Sequence, residues 1–312
     1  MTKKVNSQSN VERSIRSVSA KFVVVGASRS ALYAVSWLKK AGASVVGSSS
    51  IKEAAALEEP TTAILVAGDA VKDCQIEGID IPVIFFWDFE VGQPGIGAFA
   101  SAVSGVSSVI GKSESAPGIL PVHMPEQWTG IFGASLALGL LVSNSDRKKE
   151  NPARIDVSAA DILRAFAEQN SGNHAGVPYG WRRNGLTAVE HGGVFPQGFF
   201  RCKDGYVAVQ ARSRQDWAAI LSAFNNPVWS EDKSMQNPFK LSEDDSHILP
   251  LFQAELDKRK MEDLLELALE SGAPMAPVFS SPEAISSNVF RDGFVQANGE
   301  LNLPFIIKRF EK

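Results

Sequence analysis

The sequence predicts an α/β protein with an open, mostly parallel Rossmann-like sheet and a second, smaller α+β domain. Three observations predict it. Lys21–Val25 is a short apolar run, followed by a turn at Gly26–Ser30, helical spacing over Ala31–Ala41 and a second strand at Ala43–Val46. That is a βαβ unit, the building block of parallel sheets. Ala63–Val66 and Ile81–Phe86 are two more runs of the buried-strand type. Far downstream, Phe199–Arg201 and Tyr206–Gln210 flank Lys203-Asp204-Gly205. Asp-Gly between two such runs is a hairpin signal.

Taken in order, the first helix turns Leu32, Val35 and Leu38 inward, and Gly42 closes it. Ile51–Leu57 is a short helix. Residues 94–145 become helical and rich in small side chains. Within them Ile131–Val142 is the longest apolar run, short of the roughly 20 residues of a membrane span. Gly130, Gly133, Ala134, Ala137 and Gly139 mark a buried helix that another backbone approaches closely. Asp146–Asn151 is a charged hinge. Ile155–Gln169 is a helix, entered through a short strand at Arg154–Asp156. Residues 171–198 form a long loop with seven glycines, holding Tyr179, Trp181, Arg182, Arg183 and His191. After the hairpin, Arg214–Phe224 puts Trp217, Ile220, Leu221 and Phe224 on one helical face. Helices follow near 247–257 and 260–271, Gly272–Val278 breaks the pattern, and Pro282–Asn288 is the last helix. The expected organisation is a flexible tail over 1–19, a large domain with connecting helix over 20–190, a small domain over 191–298 and a C-terminal return segment over 299–312.

The totals exclude several function classes. A net charge of −4 gives no electrostatic case for nucleic acid. The basic first nineteen residues lack the apolar core of a signal peptide. Cys74 and Cys202 make no disulfide framework, and with four scattered histidines they give no metal spacing. No metal and no membrane are therefore expected, and a cytoplasmic location fits.

Candidate chemistry lies at strand ends and helix starts. In an open parallel sheet, ligands sit beyond the carboxyl ends of strands, where helix N–H groups receive phosphates. Gly26, Ala27, Ser28 and Arg29 occupy the first such turn. Ser28 reads equally as the cap of the following helix. Asp88 and Glu90 follow the strand ending at Phe86, placing two carboxylates at the sheet edge; solvated loop acids are the plainer reading. His123 and Glu126, three residues apart, suit proton transfer or capping, and lacking a third partner they read as capping. His191 in the glycine loop suits a mobile lid or a surface loop. Serine-hydrolase elbows and phosphate-binding Walker loops are absent from the sequence.

Several stretches, in order, resemble the class III CoA-transferases, the family of carnitine dehydratase and the bile-acid-inducible enzyme. They are Ala27–Val46, Pro94–Gly105, Pro125–Leu141, Ile155–Ser158, Gly198–Phe224 and Gly272–Val278. The resemblance implies an interlocked dimer, with coenzyme A or acyl-CoA as substrate and its nucleotide end near Gly26–Arg29. It also implies a covalent mechanism in which an aspartate carboxylate attacks the thioester. That aspartate lies seven residues before a Ser-Gly pair. Counting back from Ser104 gives Gly97, which has no side chain.

Related racemases place a histidine and a second acid at what are here Ile96 and Glu126. The family's Asn-Phe-Arg segment is replaced by Ala67-Gly68-Asp69-Ala70, and the chain stops soon after Phe294. The expectation is therefore the non-nucleophile subunit of a heteromeric CoA-transferase, paired with an aspartate-bearing paralogue or with a second copy of itself. Its substrates would be small carboxylic acids. The alternative is a self-sufficient acyl-CoA enzyme whose carboxylate is Asp88, Glu90 or Glu126. A nicotinamide-dependent dehydrogenase ranks last, because Val46–Ser49 lacks the acid that would hold a ribose.

Overall fold

The computed structural model describes residues 20–68, 76–111, 114–143, 154–169, 194–287 and 295. They fall into two compact units. One takes the described residues up to Ser107 and again from Ile119 to Gln169, and the other takes residues 108–118 and those from Val194 to Ser287. The Cys74, Asp69, Ala70, Tyr179, Trp181, Arg182, Arg183 and His191 positions lie outside the described residues.

The first unit is built on a five-stranded parallel sheet in the order β2-β1-β3-β4-β5. Its strands are β1 (Lys21–Val25), β2 (Ser44–Ser48), β3 (Ala63–Ala67), β4 (Val83–Trp87) and β5 (Arg154–Ser158). Its helices are α1 (Arg29–Lys40), α2 (Ile51–Ala55), α3 (Gly97–Val103), α4 (Met124–Ser143) and α5 (Ala159–Gln169). The continuous apolar runs follow from cover on both faces. Along β3, Ala63, Leu65 and Ala67 join the core shared with Ala31, Leu38 and Ala134, whereas Ile64 and Val66 join the core shared with Ile51 and Ala54. Strand period two divides one hydrophobic word between two cores.

Ser28 caps α1, its hydroxyl accepting from the Ala31 N–H at 3.2 Å. Gly42 follows the helix at φ +88°. Leu32, expected inward, is instead exposed; Ala31, Ala34 and Leu38 make the buried stripe. At about 100° per residue, Leu32 stands off the face those three share. Helix α4 packs closely on α1. A Cβ on Gly130 would lie 2.5 Å from Tyr33 Cβ and 2.7 Å from the Ser30 carbonyl, and one on Gly133 would strike the Phe86 ring. The small residues that permit this approach are Gly130 and Gly133 on α4. A second correction concerns β5. The short strand expected at Arg154–Asp156 is present but runs to Ser158, pairing in parallel with β4, so the helix expected from Ile155 starts at Ala159. Among the described residues, no helix is long and apolar enough to cross a membrane.

The second unit carries the antiparallel sheet β6-β7-β8, formed by β6 (Gln197–Arg201), β7 (Tyr206–Gln210) and β8 (Met275–Pro277). Its helices are α6 (Arg214–Ala223), α7 (Pro238–Leu241), α8 (Ile248–Asp257), α9 (Met261–Ser271) and α10 (Ser281–Ser286). The expected hairpin is present, closed by Cys202 N–H to Gly205 O at 3.0 Å. Its turn also docks: Asp204 Oδ1 accepts the Met261 N–H at 2.8 Å at the start of α9. A Cβ on Gly205 would sit 2.7 Å from Met261 Sδ, so this glycine is a packing requirement as well as a turn residue. Gly272–Val278, read as a break, contributes β8, which pairs with β7. Phe252 centres the core, with the Phe195, Phe200, Trp217 and Phe224 rings 5.2 to 6.2 Å from it.

Glu255 is buried between Lys258 Nζ and Arg259 Nη1, each at 2.8 Å. Burial alone would raise its carboxyl pKa, but these two hydrogen bonds outweigh burial and hold it below the usual carboxylate range. A lowered folded-state value means the stabilisation is complete above the unfolded carboxylate range and is lost as pH falls through the folded value. Glu255→Gln should therefore flatten the acid limb of a stability-against-pH curve measured by urea unfolding. In the first unit, Gly130→Ala should cost about 1–3 kcal/mol by overpacking α4 on α1, read as a lower urea midpoint with an unchanged slope.

Candidate functional site at the start of α3 and α4

Two carboxylates stand at helix N-termini in the first unit, and they do different things. Asp88 follows β4 and faces the start of α1. Its Oδ2 accepts the Arg29 N–H at 3.0 Å, and its Oδ1 accepts the Ser30 N–H at 3.0 Å together with the Ser30 hydroxyl. An acid at this end also complements the helix dipole. Of the donors in this turn, the Arg29 and Ser30 N–H groups and the Ser30 hydroxyl are thus engaged by an internal anion. Gly26 and Ala27 are exposed in the same turn, and Ser28 is spent on its cap. Gly68, at the end of β3, lies so close that a Cβ there would strike the Ala27 carbonyl. Glu90 is paired as well: Arg164 Nη1 donates to its Oε1 at 2.9 Å.

Glu126 is different. It sits in the first turn of α4, is only 2% exposed, and turns its carboxylate across to α3. Oε1 accepts the Gly97 N–H at 2.9 Å. Ile96, the residue before α3, offers no side-chain cap, so Glu126 supplies the missing acceptor from a neighbouring helix. Capping was expected of Glu126, but at its own helix; the helix it serves is α3. Oε2 is buried and has no hydrogen-bond partner. A Cβ on Gly97 would collide with that oxygen and lie 2.6 Å from Glu126 Cδ and 2.8 Å from Pro125 Cβ. The carboxylate therefore fills the space a side chain at position 97 would need.

His123 borders the same point, with Nδ1 3.9 Å from Glu126 Oε1. It is one of three non-glycine described residues with positive φ, at +69°. That backbone region is costly for a residue with a Cβ, and such residues cluster at working sites. Next to the buried carboxylate, His123 is partly exposed, and Ile96, which precedes Gly97, is about half-exposed.

The structure brings Gly97, Glu126 and His123 together and leaves Asp88 and Glu90 at separate anchoring tasks. Sequence reading missed Ser30 and Arg164 as the partners that occupy those two acids. It also passed over Ser101 on α3, which is fully buried with an unpartnered hydroxyl. Its signal was the four-residue spacing from Gly97. An open, mostly apolar cavity of about 460 Å³ lies elsewhere in the unit, with Phe132, Leu136, Ile162 and Phe166 in its walls; Glu126 is not among its lining. Cys202 is buried, and burial pushes its thiol up, away from ready nucleophilicity. Among the described residues, no three His, Cys, Asp or Glu side chains converge as metal ligands would.

Comparison with known proteins bears on the same segment. The family model described as CoA-transferase family III matches residues 90–300, which include Gly97, Ser101 and Glu126. The mouse protein named succinyl-CoA:glutarate CoA-transferase is 26% identical over 219 residues, covering 69% of this chain and 48% of that protein. Its human namesake is 21% identical over 226 residues, covering 70% and 50%. The chain thus spans about half the length of the curated relatives it matches. A crystal structure of a CAIB/BAIF family protein from Brucella suis superimposes with a TM-score of 0.74 at 12% identity, over 92% of this chain and 91% of that one. The shared fold extends to the first strands, which the family match does not reach.

If Asp88 is an internal anchor, Asp88→Ala should lower stability by about 1–2 kcal/mol, the usual scale for a lost helix cap. Urea unfolding followed by far-ultraviolet circular dichroism measures it. A variant as stable as the parent would show that the three hydrogen bonds contribute nothing net.

Proposed function

Because the chain belongs to CoA-transferase family III, we propose that it binds acyl-CoA as a substrate and takes part in CoA transfer between carboxylic acids, with Glu126 as the carboxylate that meets the thioester. One observation carries the reading: the Glu126 carboxylate occupies the space beside Gly97, the position where the resemblance puts the nucleophilic aspartate. One oxygen is held by a backbone N–H, which fixes the group. The other has no partner, which leaves a lone pair for attack. The names of the mouse and human relatives support small dicarboxylic acids as donor and acceptor.

In this reading Oε2 attacks the thioester carbonyl carbon and the carbon–sulfur bond breaks. CoA leaves as the thiolate and a mixed anhydride remains on Glu126. The thiolate then attacks the glutamyl carbonyl, frees the first acid and leaves a glutamyl-CoA thioester. An incoming acid attacks that carbonyl and forms a new anhydride, from which the thiolate takes the acyl group.

A second reading is favoured by the bare Cα of Gly97 together with the burial of Glu126. Here the chain is the non-nucleophile subunit of a heteromeric enzyme, completed by an aspartate-bearing paralogue.

Trapping separates the two. Purified chain incubated with succinyl-CoA and then hydroxylamine or borohydride should give a modified Glu126 peptide by mass spectrometry. Glu126→Gln should abolish the adduct and reduce exchange of labelled succinate into succinyl-CoA by roughly 100-fold or more. An unmodified chain that supports exchange only when the paralogue is added supports the subunit reading instead.

A further inference from the structure

Three buried side-chain oxygens among the described residues have no hydrogen-bond partner, namely Glu126 Oε2, Ser101 Oγ and Ser107 Oγ. The first two belong to one place. Ser101 lies four residues after Gly97 within α3, so the two share a helix face, one turn apart. Both are buried. Cβ positions at that spacing are about 5–6 Å apart, and the Gly97 Cβ position abuts Glu126 Oε2. One face of α3 thus carries a hydroxyl with an unused proton and, against its first residue one turn away, a carboxylate oxygen with an unused lone pair. Buried polar atoms without partners are uncommon and destabilising, and a group that arrives with the substrate is one way they come to be satisfied.

A thioester carbonyl matches this pair. Its carbon would approach Oε2 while its oxygen turned along α3 towards the hydroxyl, which rotates freely to donate. We propose that Ser101 is a catalytic residue, donating a hydrogen bond from Oγ to the thioester carbonyl oxygen as Glu126 attacks. The inference rests on the Glu126 reading of the site. As the new carbon–oxygen bond forms, the carbonyl π electrons move onto oxygen, and the Ser101 hydroxyl stabilises that charge without giving up its proton. Collapse restores the carbonyl, breaks the carbon–sulfur bond and releases the CoA thiolate. A donor aimed at developing charge in a water-poor site is worth far more than one in solvent.

The role makes activity and stability move apart, which a structural serine would not do. Ser101→Ala should lower exchange turnover by about 10- to 100-fold with little change in KM, while its melting temperature stays equal to or above that of the parent. Succinyl-CoA labelled with carbon-13 at the thioester carbonyl gives a direct readout: the carbonyl stretch of the bound ligand should be lowered in the parent and return towards its solution value in the variant. Equal turnover with an unchanged carbonyl band would overturn the proposal, as would a variant whose fall in activity tracks a fall in melting temperature. If succinyl-CoA binds and exchanges in a Glu126-dependent way while Ser101→Ala behaves like the parent, only the role of the serine falls. If the parent binds no succinyl-CoA, the proposed function falls and takes this role with it.

Discussion

The position of α4 is the constraint on which the first unit depends. Gly130 and Gly133 bring its backbone against α1 and the Phe86 ring, at distances no side chain at those positions would allow. Such packing leaves the helix little freedom to slide, because interiors are dense and respond to a single added carbon. Glu126 stands at the start of that rigid helix, so the placement of its carboxylate over α3 is inherited from contacts one to two turns further on. Fixed placement of a reacting group is what a carboxylate needs if binding is to convert into rate.

The two helix N-termini show how one physical device serves two ends. At α1, Asp88 supplies negative charge to N–H groups that would otherwise attract an anionic ligand. At α3, Glu126 does so with one oxygen and keeps the other unengaged. The difference is saturation. The Asp88 oxygens meet three donors, whereas Glu126 meets one. Saturation of this kind fixes the start of α1 and removes two of its N–H groups from the set free to meet an anion.

Much of this was legible from local sequence. The βαβ start and the Asp-Gly hairpin carry their signals within a few residues, and both formed as expected. What was not legible depended mostly on distant partners. Leu32 is exposed because, at about 100° per residue, it stands off the α1 face that Ala31, Ala34 and Leu38 share against the core. The strand read at Arg154–Asp156 runs on through Val157 and Ser158 because β4 is there to pair with them. Met275–Pro277 is a strand only because β7 offers an edge, and Pro274 before it and Pro277 at its end disguise it. For the site, the importance of Gly97 and Glu126 came from resemblance, while their hydrogen bond, spanning 29 residues, required the fold. Ser101 offered only its four-residue spacing from Gly97, since an unmet hydroxyl exists only in three dimensions.

The bare carbon at position 97 also bears on how such a chain can change over time. In the present backbone a Cβ at 97 runs into the Glu126 carboxylate, so any larger residue there requires that side chain to take another rotamer. Positions 97 and 126 are therefore coupled: a substitution at one changes what the other tolerates, and the effects of changing both should not add.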